Sequence, residues 1–328
     1  MHEVESLMYG KQKPWHGIGV YVGEENILSK EALAAAGLDW KVEKHRVFSM
    51  IGDDVVEDPS SRMVVRDTDK MVMGTVGRNY ELFQNDEAFE AMDNLVADGA
   101  MKYNVAMSLK NGRKVALLGK IDGTIEPFAG DQVDNYVLLS NSHDGSGALR
   151  ILFTPVRVVC ANTLRLALEE GRGDGVTIRH TRNMRDNVAQ AKYALKLANK
   201  QFDKFGEIAK SFANTSLKSA DFNRFAEFVA GFEPLKEPTT HQRYVAGEIV
   251  RLSEEGIGCD IPGVRGTAWA AFNAVTEYYN YYKDVKPRGG EVFNESASRL
   301  HNLWFGTSSK SIDEAMSYLN TKQYAMIA

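Results

Sequence analysis

The spacing of the apolar residues changes near Asp186, and this change limits the folds that the chain can adopt. Before this point, short runs of alternating apolar residues are separated by turn residues, which is typical of β-strands. After it, apolar residues recur at the spacing of a helix, and the longest series is Val188, Ala191, Leu195, Ala198, Phe202, Phe205, Ala209 and Phe212. The sequence therefore predicts an α+β fold, with an antiparallel sheet core flanked by helices and followed by a mostly helical C-terminal half.

The Asn111-Gly112 pair is the strongest local signal in the first half. Alternating apolar residues lead up to Leu109, and apolar residues return at Val115 and Leu117. Asn-Gly between two such runs predicts a β-hairpin. A further hairpin is predicted around the turn residues 67–69, and a helix is predicted to begin with Asn85 as its N-cap.

Two more strands are predicted downstream, at residues 136–139 and 149–159. Pro155 lies inside the second run and indicates a sheet edge or a bulge, because proline cannot donate a ladder hydrogen bond. A helix is expected to follow, and then a flexible glycine-rich connector at residues 171–175. We therefore divide the chain into an α+β core, 1–185, predicted to bind nucleic acid, and a helical domain, 186–328, predicted to serve oligomerisation or partner binding.

Several classes of protein are excluded or disfavoured by what the sequence lacks. It contains no Walker loop and no dinucleotide-binding glycine motif, so ATP-driven action by this chain is not expected. Cys160 and Cys259 are too few and too far apart for a disulfide scaffold or a zinc site. We expect no enzymatic activity and no catalytic residues, no cofactor and no metal. Neither a signal peptide nor a membrane-spanning run is recognisable, so a cytoplasmic protein is predicted.

The charge distribution gives the clearest indication of function. Residues 150–210 carry a net charge of +6, whereas the whole chain carries −5, so that the remaining residues carry −11. A basic segment on an acidic chain indicates a polyanionic ligand, an acidic partner, or the solvated faces of helices. For the stripe of Lys192, Lys196, Lys200 and Lys204, a solvated helix face and a binding surface are both open interpretations.

The arginines are the stronger candidates, because the guanidinium group suits phosphate recognition. The predicted nucleic-acid-binding residues are Arg150, Arg157, Arg165, Arg172, Arg179, Arg182 and Arg185, together with Lys110, Arg113 and Lys114 at the hairpin tip. Neutralising phosphates with such side chains gives salt-dependent binding that tolerates many base sequences.

Four segments of the chain carry a family resemblance. They are Pro14-Trp15-His16-Gly17-Ile18-Gly19, Ser142-His143-Asp144-Gly145-Ser146-Gly147, Pro155-Val156-Arg157-Val158-Val159-Cys160-Ala161-Asn162-Thr163-Leu164, and Gly266-Thr267-Ala268-Trp269 with Asn273-Ala274-Val275-Thr276-Glu277-Tyr278. Together they resemble the phage/plasmid-like protein family, a bacteriophage family of unknown function. The resemblance covers nearly the whole chain. It implies a mobile-element origin and the bacterial host cytosol, and it brings no established activity.

The order of predicted elements after Asn85 also resembles another group of proteins. Helix, hairpin, two strands and helix is similar to the core of single-strand annealing proteins of the RecT and Red-beta type. That resemblance implies ATP-independent DNA annealing in recombination, assembly into rings or filaments, and a basic groove for single-stranded DNA. Likeness of fold is a weak warrant for function.

These observations lead to one main hypothesis and two alternatives. The main one is a phage-encoded, ATP-independent protein that binds and anneals single-stranded DNA as a homo-oligomer, with RNA left open as a ligand. The first alternative is a module that binds host or phage proteins without nucleic acid. The second is an enzyme that uses the Ser142–Gly147 turn and Cys160.

Overall fold

The structure is a computed structural model, and it describes residues 4–9, 20–23, 29–97, 101–157, 162–163, 175–186, 192–284, 299, 302–303 and 306–327. The chain divides into two compact units that alternate along the sequence. The first unit comprises residues 1–122, 136–152 and 175–197, and the second comprises 123–135, 153–174 and 198–328. The functional division at residue 186 stays a prediction.

The described elements are mixed α and β, as predicted, and the later part of the chain is mostly helical. The strands are β1 (Val4–Tyr9), β2 (Val20–Tyr21), β3 (Val42–Ile51), β4 (Asp54–Arg66), β5 (Val72–Gly77), β6 (Met101–Leu109), β7 (Lys114–Ile125), β8 (Val133–Ser142), β9 (Leu149–Arg157), β10 (Asn162–Thr163) and β11 (Gly175–Ile178). The helices are α1 (Ser29–Ala35), α2 (Asn85–Ala97), α3 (Lys192–Ala213), α4 (Ser219–Val229), α5 (Thr240–Glu255), α6 (Ala268–Glu277), which continues into a π-helical turn (Tyr278–Tyr282), and α7 (Thr307–Ile327).

The strands form two sheets. The larger has the order β10-β9-β8-β7-β6-β1-β2, with β11 also paired to β9. The smaller has the order β3-β4-β5 and is antiparallel throughout. Both hairpins predicted from turn residues are confirmed, because β6 pairs with β7 across the Asn111-Gly112 turn and β4 pairs with β5 across residues 67–69.

Asn85 begins α2 but does not act as the predicted N-cap. Its side-chain amide donates to the carbonyl of Leu38 at 3.0 Å, and its Oδ1 lies 2.9 Å from Nε2 of His143. The carboxylate of Glu87 instead accepts a hydrogen bond from the backbone N–H of Gln84, the residue before the helix. The prediction was wrong because the asparagine amide serves long-range contacts that no local pattern reveals.

Pro155 lies where the outer neighbour of β9 changes. The ladder with β11 ends at Leu152, and the ladder with β10 begins at Val156. Proline is therefore placed where neither ladder has a register pair, which satisfies the constraint that its missing N–H imposes.

In the second unit, the predicted apolar seam of α3 packs within the chain. The ring of Phe205 lies 6.3 Å from that of Trp269, and the ring of Phe212 lies 6.0 Å from that of Phe272. All four side chains are fully buried, and the indole of Trp269 donates to the buried carboxylate of Asp131 at 2.8 Å. The described part of the seam thus packs against α6 through Phe205 and Phe212 and forms part of an intramolecular core.

Candidate nucleic-acid interface

The ladder between β9 and β11 has one buried face and one solvent-facing face. Leu149 and Ile151 of β9 are buried, and so is Ile178, which lies opposite Leu149. The residues between them point to the other side, because side chains alternate along a strand. On that side Arg150, which is half-buried, lies opposite the exposed Thr177.

Arg179 lies just beyond this ladder. It follows Ile178, the last residue of β11, and is exposed. It is two residues beyond Thr177, the register partner of Arg150. Arg182 lies in the next turn and is also exposed. The structure therefore brings three of the predicted arginines to one region of the first unit.

Arg185 forms an ion pair with Glu87 at the start of α2. Its Nε donates to the carboxylate of Glu87 at 2.7 Å, and its guanidinium also reaches the carbonyl of Leu82 at 3.4 Å. The hydrogen bond and the charge of Glu87 raise the pKa of Arg185. Because Glu87 already neutralises part of its charge, Arg185 is a weaker candidate for phosphate binding than its position in the sequence suggests.

The segment that carries these arginines is docked on the first unit. The imidazole of His180 stacks on the ring of Tyr80 with centroids 4.5 Å apart, and its Nδ1 lies 2.9 Å from the carbonyl oxygen of Glu81. The backbone N–H of Glu81 in turn donates to the carbonyl of His180 at 3.1 Å. Arg179 and Arg182 are therefore held at defined positions, which favours a preformed binding surface.

The predicted basic hairpin tip forms a tight left-handed turn. Lys110, Asn111 and Gly112 have φ angles of 54°, 55° and 84°. The tip packs against the smaller sheet: a Cβ on Gly112 would lie 2.9 Å from Cε of Met73 and 3.1 Å from the indole of Trp40. Lys110, Arg113 and Lys114 accordingly are only half-exposed.

Lys114 lies close to an acidic side chain in the turn after β8. Burial alone would raise the pKa of Asp144, but hydrogen bonds from Ser142 and Ser146 and the positive charge of Lys114 lower it overall. Asp144 therefore stays ionised at neutral pH and offsets part of the Lys114 charge. Arg179 and Arg182 are exposed, whereas Arg150 is half-buried like the three cations of the hairpin tip.

The two basic groups share one end of the larger sheet. The backbone N–H of His143 donates to the carbonyl of Arg113 at 2.8 Å, which sets the end of β8 beside the start of β7. Only the short connection 143–148 separates that end of β8 from β9 and Arg150. Lys114 and Arg150 therefore lie at the same end of the larger sheet, at the starts of β7 and β9, with β8 between these strands.

The Ser142–Gly147 turn, the candidate catalytic segment, is mostly occupied by structural contacts. His143 is 1% exposed, and its imidazole packs edge-on against the ring of Trp40 at 5.2 Å. Burial, with a smaller effect of His180 and against the opposing effect of Asp144, lowers its pKa to about 3. The hydroxyl of Ser142 donates to Asp144 and does not contact His143. These contacts favour a structural role for the turn.

Other predicted site residues are placed incompletely. Arg157 ends β9 opposite Asn162, in the second unit, but its side chain lies outside the described residues. Arg165 and Arg172 lie wholly outside the described residues, as does Cys160. In the part of the chain that is described, no group of three or more His, Cys, Asp or Glu side chains could hold a metal ion. No helix there is long and apolar enough to cross a membrane.

Two parts of the surface were missed by sequence reasoning. Strand β11 at residues 175–178 was not predicted, although Val176-Thr177-Ile178 is a short run of β-branched residues. The β3–β4 hairpin also was not predicted, although Val47 to Ile51 is an uncharged run before a Gly-Asp turn. That hairpin carries a group of exposed apolar side chains.

Comparison with protein-family models assigns the chain to a family. The model of a domain of unknown function (DUF932) matches residues 72–304, which is more than half of the chain. The chain belongs to the DUF932 family. No curated protein and no solved structure matches this DUF932 protein in the same comparisons. The family region contains α2, the larger-sheet strands β6 to β11 and most of the helical part.

Proposed function

We propose that this DUF932 protein binds single-stranded DNA through the face that bears Arg150 and Arg179, with Arg182 beside it. The observation that supports this most directly is that half-buried Arg150 lies on the β9–β11 ladder and the exposed Arg179 and Arg182 directly follow it, in an otherwise acidic chain. Guanidinium groups at fixed spacing neutralise phosphates and release condensed counterions.

The proposal extends to ATP-independent annealing in a phage-encoded recombination system within the bacterial cytosol. The support for this part is the resemblance to phage and plasmid proteins and to single-strand annealing proteins, together with the lack of a Walker loop in the sequence. A homo-oligomer is included in the proposal, because annealing requires two strands to be held together.

A salt titration of DNA binding tests the proposal. We expect the wild-type protein to bind a fluorescent single-stranded oligonucleotide at low salt, with affinity that falls linearly on a log–log plot of salt. Each phosphate contact contributes about 0.7 to the slope for single strands. Replacing Arg150, Arg179 and Arg182 with alanine should therefore lower the slope by about 2 and weaken binding at low salt.

A matched variant controls for loss of charge. Lys200, Lys204 and Lys210 are exposed on α3, and replacing all three with alanine removes the same net charge. If the lysines form only a solvated helix face, this variant binds DNA with the wild-type slope. Equal losses in both variants would indicate nonspecific attraction, and no binding by the wild-type protein at low salt would refute the proposal.

The alternative function, a protein-binding module, has its own support in the exposed apolar residues of the β3–β4 hairpin. Under that alternative the stripe of Lys192, Lys196, Lys200 and Lys204 contacts an acidic protein. Capture of a host or phage protein, with no retention of oligonucleotide, would favour it over DNA binding.

A further inference from the structure

The distal part of the β3–β4 hairpin, residues 47–58, is named here the arm. It is closed by Gly52, whose φ of 64° suits a tight turn, with Ile51 paired to Asp54. Its large apolar side chains are exposed: Met50 by 78%, Val55 by 66%, Ile51 by 65%, Phe48 by 49% and Val56 by 46%. Scattered apolar residues are normal on a surface, but a contiguous group of this kind marks a contact site.

Both faces of the arm are apolar. Phe48 and Met50 share one face with Val55, because Met50 lies opposite Val55 in the ladder. Ile51 lies on the other face with Val56, which is opposite Ser49. A two-stranded ribbon exposed on both faces is marginally stable in water, so a partner that covers it would stabilise it.

The outer edge of β3 offers backbone groups to a further strand. The sheet order places β3 at an edge, and in the described part of the chain it pairs only with β4. Soluble proteins usually protect such edges with charges or proline. Residues 47–51, Val-Phe-Ser-Met-Ile, contain neither. The arm therefore has the features of a strand that pairs with another chain.

The sequence of β3 is complementary to itself. If two copies pair antiparallel about a two-fold axis at Ser49, Phe48 of each copy lies opposite Met50 of the other, and Val47 lies opposite Ile51. β3 ends at Ile51 and the chain reverses at Gly52-Asp53, so the acidic tip of one copy lies beyond the Val47–Ile51 pair, toward the basic residues His45 and Arg46 of the other copy.

We propose that the arm pairs with the arm of a second copy of this chain, through β3 edges joined antiparallel about Ser49. The contact is isologous, so each favourable pair occurs twice. The self-complementary charge and the uncharged central run favour a second copy over a nucleic acid, since the arm itself is acidic, with Asp53, Asp54, Glu57 and Asp58.

This inference deepens the homo-oligomer part of the proposed function, on which it rests, but it can be tested without DNA. Sedimentation or light scattering of the full chain over a range of concentrations should show a dimer or a larger assembly. Met50→Lys should weaken association about tenfold or more, because two Phe48–Met50 pairs are lost at once. Val72→Lys is the matched control, since Val72 is an exposed apolar residue on the opposite edge of the same sheet.

A cysteine on the axis tests the register itself. Ser49 is the residue that lies opposite its own copy, so mild oxidation should cross-link the Ser49→Cys protein into covalent dimers, whereas the Val72→Cys control should not cross-link. A monomeric wild-type chain, an assembly unaffected by Met50→Lys, or no cross-link in the Ser49→Cys protein would overturn the proposal. Each of these results leaves DNA binding by the arginine face, the surface formed by Arg150, Arg179 and Arg182, to be judged separately.

Discussion

At the scale of single residues, His143 is the most perturbed histidine of the first unit. Burial, helped by His180 and opposed by Asp144, lowers its pKa to about 3, and its Nε2 bonds the Asn85 side chain. Below pH 6.5 the unfolded chain binds a proton at this residue, whereas the native protein does not. Stability should therefore fall as the pH falls from about 6.5 toward 3, by up to about 1.4 kcal/mol per pH unit.

Urea unfolding at several pH values between 7 and 4.5 measures this slope. Burial also lowers the pKa of His180, so this residue makes stability fall in the same direction. The slope of the wild-type protein must therefore be compared with the slope of a variant. His143→Gln removes one titrating group and should give a shallower fall in stability, while the His180 contribution remains. An unchanged slope in His143→Gln would mean that the native imidazole is protonated normally.

Asn85 illustrates what single-residue patterns can and cannot predict. The helix start was predicted correctly, because acidic residues in the first turn suit the positive end of the helix. The role of the asparagine was not, because its partners, Leu38 and His143, are far away along the chain. The same limit applies to Arg185, whose pairing with Glu87 could not be read from neighbouring residues.

At the scale of elements, β5 and the turn after β8 form a close contact within the first unit. A Cβ on Gly74 would lie 2.8 Å from the carbonyl oxygen of Asp144 and 2.9 Å from its Cα. Both atoms belong to backbone, so the clash cannot be relieved by a side-chain rotation. Gly74→Ala should therefore destabilise the protein by roughly 1–3 kcal/mol in denaturant unfolding.

Gly77 is the matched control, because it lies in the same strand and a Cβ there would meet nothing within 4 Å. Gly77→Ala should change stability by less than about 0.5 kcal/mol. Similar losses in both variants would show that glycine is needed for strand geometry and not for contact with the turn.

The elements that could be predicted are those with a local cause. The β6–β7 hairpin follows from Asn111-Gly112, and the apolar spacing of α3 predicts its buried face. The β11 strand lacks such a cause, because it is short and is defined by pairing with β9 across a long stretch of chain. The sequence therefore predicted the arginines of the proposed binding face. It did not predict the pairing of β11 with β9, which places Arg179 near Arg150.

At the scale of the whole molecule, the two proposals assign different tasks to differently charged surfaces. The chain is acidic overall, with a net charge of −5, and the arm contributes to that excess. The arginine face is the exception. If arms join two copies, the dimer carries two such faces, and it can hold two DNA strands at once. Annealing then depends on the arm, although binding to one short strand does not.

A single substitution in the arm should separate DNA binding from annealing. Met50→Lys should bind a short oligonucleotide with affinity close to that of the wild-type protein, because Met50 lies on the arm and not on the arginine face. It should anneal complementary strands more slowly, in proportion to the fraction of protein that has become monomeric. A fluorescence-transfer assay of annealing without ATP, beside the binding titration, measures both. Val72→Lys should leave both unchanged, and wild-type annealing by a monomeric Met50→Lys protein would show that strands are paired by one copy alone.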